Sequence, residues 1–186
     1  ESESIFPIHC VQTIQDLFSS VSNFSALIID SNGKLVTRIS RPNAISTLLQ
    51  STPAGNDYYQ ASWQEIAAKA TGREEMFTCH AGLRYFGSVI INQNKKQGVF
   101  LVGEFYLASD DQEKEKKKWN EIAKICAIDE QELIQAYQQI PRLLPHEQAH
   151  LTSQPAAAAF AVESILTERG AFMNRLQQIA NLTQKL

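Results

Sequence analysis

The chain has 186 residues, enough for one domain with its own core, and its 44% hydrophobic and 20% charged residues are ordinary for a globular protein. A net charge of −3 with no basic face argues against a broad nucleic-acid footprint, and no apolar run approaches the roughly 18 residues that span a bilayer. Cys10, Cys79 and Cys126 are odd in number and widely spaced, which argues against a disulfide framework or a cysteine-based zinc site and for a reducing cytoplasm.

The opening Glu-Ser-Glu-Ser has neither an initiator Met nor a signal peptide, as expected of a piece of a longer protein or of a processed terminus. Ile8, Val11, Ile14, Leu17, Phe18 and Val21 are spaced by three and four, which predicts a helix over 8–22 buried on one face. Phe24 to Asp30 reads as a strand. Asp30-Ser31-Asn32-Gly33 then carries an Asn-Gly turn signal, and Leu35 to Ile39 is expected to answer as the second strand of a hairpin. Pro42 ends that strand, and Asn43 can cap a short helix through Leu49. Residues 51–60, STPAGNDYYQ, have loop composition. Ser62 to Ala70 predicts a helix with Trp63, Ile66 and Ala67 on one face, ended by Gly72. Met76 to Thr78, Tyr85 to Ile91 and Val99 to Leu107 read as three more strands, the last two joined by the polar turn NQNKKQG. Strands joined this tightly imply an antiparallel sheet.

Ser109-Asp110-Asp111 opens a helix whose acids come early and lysines late, an order that suits the helix dipole and reads as a solvated face. Trp119, Ile122, Ile125 and Cys126 supply its buried stripe. Asp129 caps a further helix through Ile140, and Pro141 and Pro145 bracket an irregular segment. After Pro155, which a first helical turn accepts, about 30 residues run without proline. Val162, Ile165, Phe172, Leu176, Ile179 and Leu186 form a stripe there, with Ile165, Phe172, Ile179 and Leu186 seven apart. Such a helix extends about 45 Å, beyond what a small domain covers, so part of the stripe is expected to meet a second chain. Arg169 and Thr183 occupy intermediate core places, and Gly170 weakens the middle. The division expected is a domain over 1–150 and a helix over 151–186.

Three constellations bear on chemistry. His146-Glu147-Gln148-Ala149-His150 matches HExxH, which on a helix binds zinc through two imidazoles while the glutamate activates water. Pro145 and Pro155 limit that helix to about two turns, and a third ligand, Glu163 or Glu168, lies beyond it. The plainer reading is a surface helix start with two exposed histidines. His9-Cys10 and Cys79-His80 could meet on a metal, but no spacing demands it. Cys79 and His80 are neighbours on an extended segment and point apart, so His80 is a poor base for Cys79 and a nucleophile–base dyad would need His9. No P-loop, GxGxxG or GxSxG occurs. What remains is a sheet bearing Phe77, Tyr85, Phe86, Phe100, Phe105 and Tyr106, with Glu104 interrupting an apolar strand beside Gly103. Alternating aromatics are usually plain core, yet with a few polar groups they also line small-molecule cavities. A carboxylate at position 104 must be outward-facing or deliberately partnered.

Phe77-Thr78-Cys79-His80-Ala81-Gly82-Leu83 is similar to the Y-x-C-H-A-G-L signature of PocR-type sensory domains. Val11-Gln12-Thr13-Ile14-Gln15-Asp16-Leu17-Phe18-Ser19 resembles that family's opening helix, Ile29-Asp30-Ser31-Asn32-Gly33-Lys34 its D-x-x-G hairpin, and Tyr137 with Ile140-Pro141 its closing Y-x-x-(V/I)-P. Gly103-Glu104 stands where the family commonly has Gly-Gln. The likeness spans about residues 8–145. It implies an α+β, PAS-like sensor: a central antiparallel sheet of about five strands with helices around a ligand cavity. Family members precede AraC-type DNA-binding domains, GAF domains or histidine kinases, and small hydrocarbon derivatives such as diols are their proposed ligands. Two departures matter. Arg41 to Gln60 holds none of the cysteines many relatives carry there, which weakens any metal or redox role. Glu104 in place of Gln favours a polar, cationic or strongly donating ligand. The expectation is a cytoplasmic, non-enzymatic homodimer of a signal-transduction or transcription-regulatory protein. It uses no metal or cofactor and contacts neither nucleic acid nor membrane. Ligand binding falls to Phe77, Cys79, His80, Tyr85, Glu104 and Tyr106, and the C-terminal helix relays occupancy. The alternatives are a zinc hydrolase on His146, Glu147 and His150, or a ligand-free dimerisation module.

Overall fold

The computed structural model describes residues 6–183; the side chains of His80 and of residues 180–183 lie outside the description. In chain order the elements are α1 (Ile8–Ser22), β1 (Ser25–Asp30), α2 (Ala44–Gln50), α3 (Pro53–Lys69), β2 (Glu75–Thr78), β3 (Arg84–Asn92), β4 (Lys95–Leu107), α4 (Gln112–Cys126), α5 (Glu130–Gln138), β5 (Arg142–Leu143), α6 (Pro145–Thr152) and α7 (Gln154–Thr183). The sheet order is β1-β4-β3-β2, antiparallel throughout, and the two-residue β5 joins the end of β4 in parallel. This is the α+β, PAS-like layout that the resemblance implies.

The strands alternate, so the sheet has two cores. Leu27, Ile29, Tyr85, Val89, Val99 and Leu101 face α2, α3, α4 and α5. Ala26, Ile28, Phe86, Ile90, Phe100, Val102 and Phe105 face α1, α6 and α7. The aromatics of the sequence reading therefore divide: Phe77, Tyr85 and Tyr106 go to the first face, Phe86, Phe100 and Phe105 to the second.

Several expectations need correction. The hairpin return is not a strand. Only isolated bridges tie Ser40 to Ala26 and Leu35 to Ile29. The α1 side chain of Gln15 enters the gap, where its amide nitrogen donates to the Ala26 and Arg38 carbonyls at 2.9 and 2.7 Å. Ser40 N–H already donates to the Ala26 carbonyl at 2.9 Å, so Gln15 adds a second donor there and, with Gln12, satisfies the Arg38 carbonyl that no ladder partner takes. For the same reason the buried line of α1 is Val11, Gln15 and Ser19, while Leu17 and Val21 stay 62% and 70% exposed.

Residues 53–60 are helix, not loop. Thr52 caps α3 through Gly55 N–H at 3.1 Å, and Pro53 takes the first turn. Gly55 is needed for a close approach rather than for a turn, because a Cβ there would lie 2.1 Å from the Leu49 carbonyl oxygen. In α4, Ile125 is 63% exposed and Ala123 takes its place in the core. The α4 charges are not all solvated either. Glu115 is buried, its carboxylate bound by the Arg142 guanidinium and by Tyr137 Oη–H at 2.6 Å.

The long helix divides in two. Ala158, Ala159, Val162 and Leu166 pack against the sheet, whereas Phe172, Met173, Leu176 and Ile179 are exposed. Leu186, the last member of the expected stripe, lies outside the described residues.

Candidate functional site

Glu104 is the centre of the first face. On β4, Gly103 pairs with Tyr85 and Phe105 with Arg84, so Glu104 has no partner on β3 and forms a β-bulge. The Gly103–Glu104 peptide is cis. The extra residue breaks the alternation. Val102 and Phe105 point to the α1/α7 face, while Glu104 turns with Tyr106 toward α2–α5. Glycine precedes it for a steric reason: a Cβ at position 103 would sit 2.6 Å from the Arg84 carbonyl oxygen and 2.8 Å from Tyr85 Cδ1.

Glu104 is only 3% exposed. Its Oε1 accepts from the hydroxyls of Tyr59 (2.5 Å) and Tyr85 (2.6 Å), and its Oε2 accepts from Asn43 Nδ2 (2.6 Å). All three donors are neutral. Burial pushes the Glu104 carboxyl above its usual range, and the hydrogen bonds from Tyr59, Tyr85 and Asn43 pull it part of the way back. Burial also drives the Tyr59 and Tyr85 hydroxyls well above the ordinary tyrosine value, and the Glu104 charge adds to it. Both phenols therefore stay protonated as donors.

Asn43 acts twice. Its Oδ1 caps α2 by accepting from Ser46 N–H at 2.8 Å, while its Nδ2 reaches the carboxylate. Trp63, one helical turn beyond Tyr59, lies with its ring 5.3 Å from that phenol. Its buried indole N–H sits beside the Tyr85 hydroxyl without forming a hydrogen bond of normal geometry.

The Cys-His run folds into a closed turn. Cys79 N–H donates to the Leu83 carbonyl at 2.7 Å and Gly82 N–H to the Cys79 carbonyl at 3.3 Å. Cys79 is half-buried and packs against the core that holds Tyr59, Tyr85 and Tyr106.

Of the residues singled out in the sequence, Tyr85 and Glu104 are hydrogen-bonded to each other, Phe77 pairs across β2 and β3 with Tyr85, and Cys79 borders the same cluster. Tyr106 faces the same core but is otherwise engaged: its hydroxyl donates to the Ala81 carbonyl (2.9 Å) and accepts from Trp119 Nε1 (2.8 Å), bracing the turn from below. The His80 side chain lies outside the described residues. Sequence reasoning missed Asn43, Tyr59 and Trp63. The four-residue spacing of Tyr59 and Trp63 would have revealed the pair, had 53–60 been read as helix.

The HExxH residues are arranged for something other than zinc. Glu147 accepts from Leu144 N–H at 2.7 Å, capping α6, and both His146 and His150 are exposed. No cluster of three or more His, Cys, Asp or Glu suited to a metal occurs among the described residues. No helix among the described residues is long and apolar enough to cross a membrane.

An antiparallel sheet with helices on both faces, one of its two cores enclosing a polar cluster among aromatics, is the layout of a PAS-like sensor domain. The chain belongs to the PocR family: the family model of the sensory domain found in PocR matches residues 4–154. None of the curated proteins matches the chain.

Proposed function

We propose that this sensory domain binds a small organic molecule against Glu104 and reports its occupancy through α7. The single observation that carries the reading is the Glu104 carboxylate, buried in an aromatic core and held by neutral donors alone. Burying a charge is costly without compensation, and the fold goes through a bulge to place one there. The residues proposed to meet it are Tyr59, Trp63, Tyr85, Phe77 and Cys79, with Tyr106 as a brace; His80, which the signature also offers, is kept as a sequence-based candidate. The ligand is a hydrogen-bond donor, either a small hydroxylated hydrocarbon derivative such as a diol or a cationic analogue. The division proposed is residues 1–150 for sensing and 151–186 for output.

Relay follows from differential binding: a ligand shifts a conformational balance only by the difference in its affinity for the two states. The exposed stripe of α7 is the surface that such a balance would present to a second copy, giving a cytoplasmic homodimer ahead of a transcription-regulatory or histidine-kinase output. No observation favours a zinc hydrolase, since Glu147 is spent on a helix cap.

The test is a thermal-shift screen of small polyols, amines and acids. A melting-temperature increase with one chemical class, lost in Glu104→Leu, is expected. If no class shifts the melting temperature, the sensor reading is overturned.

A further inference from the structure

Three donors surround Glu104, and they differ in one respect. Tyr59 and Tyr85 are fully buried on α3 and β3, whereas Asn43 is half-exposed. Asn43 lines a solvent-open crevice of about 420 Å³ between α2 and α5, whose walls include Thr47, Leu48, Glu132, Ala136 and Gln139. The Asn43 side chain therefore stands between that crevice and Oε2 of a buried carboxylate. Tyr59 and Tyr85 reach the other oxygen, Oε1, through their hydroxyls, with Trp63 packed on the Tyr59 ring, and no lysine or arginine among the described residues pairs with Glu104.

A buried carboxylate without a counter-charge is satisfied best by a cation with N–H donors. Resting on the reading of Glu104 as the ligand site, we propose that the α2–α5 crevice is its mouth. The ligand is a small organic ammonium compound, whose N–H groups displace Asn43 Nδ2 from Glu104 Oε2. Displacement turns the Asn43 amide and pulls its Oδ1 away from Ser46 N–H, so occupancy is felt at the start of α2.

The probes are n-butylammonium chloride and butane-1,2-diol, with binding read from the intrinsic fluorescence of Trp63 and Trp119 and from thermal shift. The full chain binds the ammonium more tightly than the diol. Glu104→Gln, close in shape and uncharged, loses the ammonium preference. Asn43→Ser keeps a good helix cap but removes the competing donor, so ammonium affinity rises about tenfold, the worth of one hydrogen bond to a charged group. Thr47→Phe, at an exposed wall of the crevice, slows association in stopped flow while leaving the equilibrium affinity in place. Circular dichroism confirms that each variant is folded.

A preference for the diol, or ammonium binding that Glu104→Gln leaves intact, overturns the ligand class. An affinity unchanged in Asn43→Ser together with an association rate unchanged in Thr47→Phe overturns the entry route. In those cases the sensory reading stands. Failure of both probes and of the wider screen sinks the sensory reading itself.

Discussion

Two buried glutamates on the same side of the sheet are treated in opposite ways. Glu115 is bound by the Arg142 guanidinium and the Tyr137 hydroxyl, and that guanidinium lies 4.9 Å from the Tyr106 ring centre and 5.8 Å from that of Tyr137. Glu104 is equally buried and has tyrosines and an asparagine, but no cation. The first acid carries its counter-charge with it and serves as a brace between α4, α5 and β5. The second is left without a counter-charge inside an aromatic core, which is why the proposed ligand is placed there. The Tyr137 hydroxyl reflects the bracing: burial first, and then its bond to Glu115, push it up to about 12.

The largest test of this contrast is removal of each acid. Glu115→Ala strands Arg142 in a mostly buried setting and should cost about 3–5 kcal/mol, the usual penalty for breaking a buried pair. Glu104→Gln removes a charge that nothing balances and should cost under about 1 kcal/mol. Urea unfolding of the two variants checks the order, and equal losses would dissolve the distinction between brace and site.

A second pair of variants compares the halves of α7. Leu166→Ala opens a cavity between helix and sheet and should cost about 2–4 kcal/mol. Leu176→Ala, on the exposed half, should change domain stability by less than about 0.5 kcal/mol. Its effect belongs instead to self-association, measured by sedimentation equilibrium. If Leu176→Ala leaves self-association intact, the exposed stripe does not join two copies.

A finer test is the pH dependence. The native Glu104 carboxyl lies above its ordinary value of 4.5 because it is buried. The native state then holds its proton longer than the unfolded chain does. The stability this gives is fully present below 4.5 and is lost as pH rises through the native value. Asp110 has the opposite sign. Burial alone would raise it, but hydrogen bonds from Arg84 and from Leu107 N–H more than offset that and hold it below 3.8. Its contribution is present above 3.8 and is lost as pH falls through the lowered native value. Wild-type stability relative to Glu104→Gln should therefore fall as pH rises above 4.5, and relative to Asp110→Asn should fall on acidification. Parallel slopes would mean that the two carboxylates share one environment.

Much of the fold was legible because its signals are local. Asn43, Asp111 and Asp129 each cap the helix expected of them, accepting from backbone N–H groups two or three residues on. The β3–β4 hairpin turns on Gln93 and Asn94, both with positive φ, inside the polar stretch that the pattern marked. The errors were local patterns overruled at a distance. Loop-like residues 53–60 became helix because Tyr59, Trp63 and Ile66 gain a core to bury against. The return segment after Gly33 is not a strand because Gln15 reaches in from α1.

The site follows the same rule. That a carboxylate interrupts an apolar strand beside a glycine, close to a Cys-His turn, is visible in the order of residues alone, and so is the resemblance to the sensory family. Which way the carboxylate points was settled by the register between β3 and β4. Its partners stand 61, 45 and 19 residues back along the chain, at Asn43, Tyr59 and Tyr85. Spacing along a chain encodes turns, caps and amphipathic faces, because those depend on neighbours. A buried charge is stabilised by whatever the closed fold brings to it, and only three-dimensional packing decides whether that is a guanidinium, as at Glu115, or none, as at Glu104.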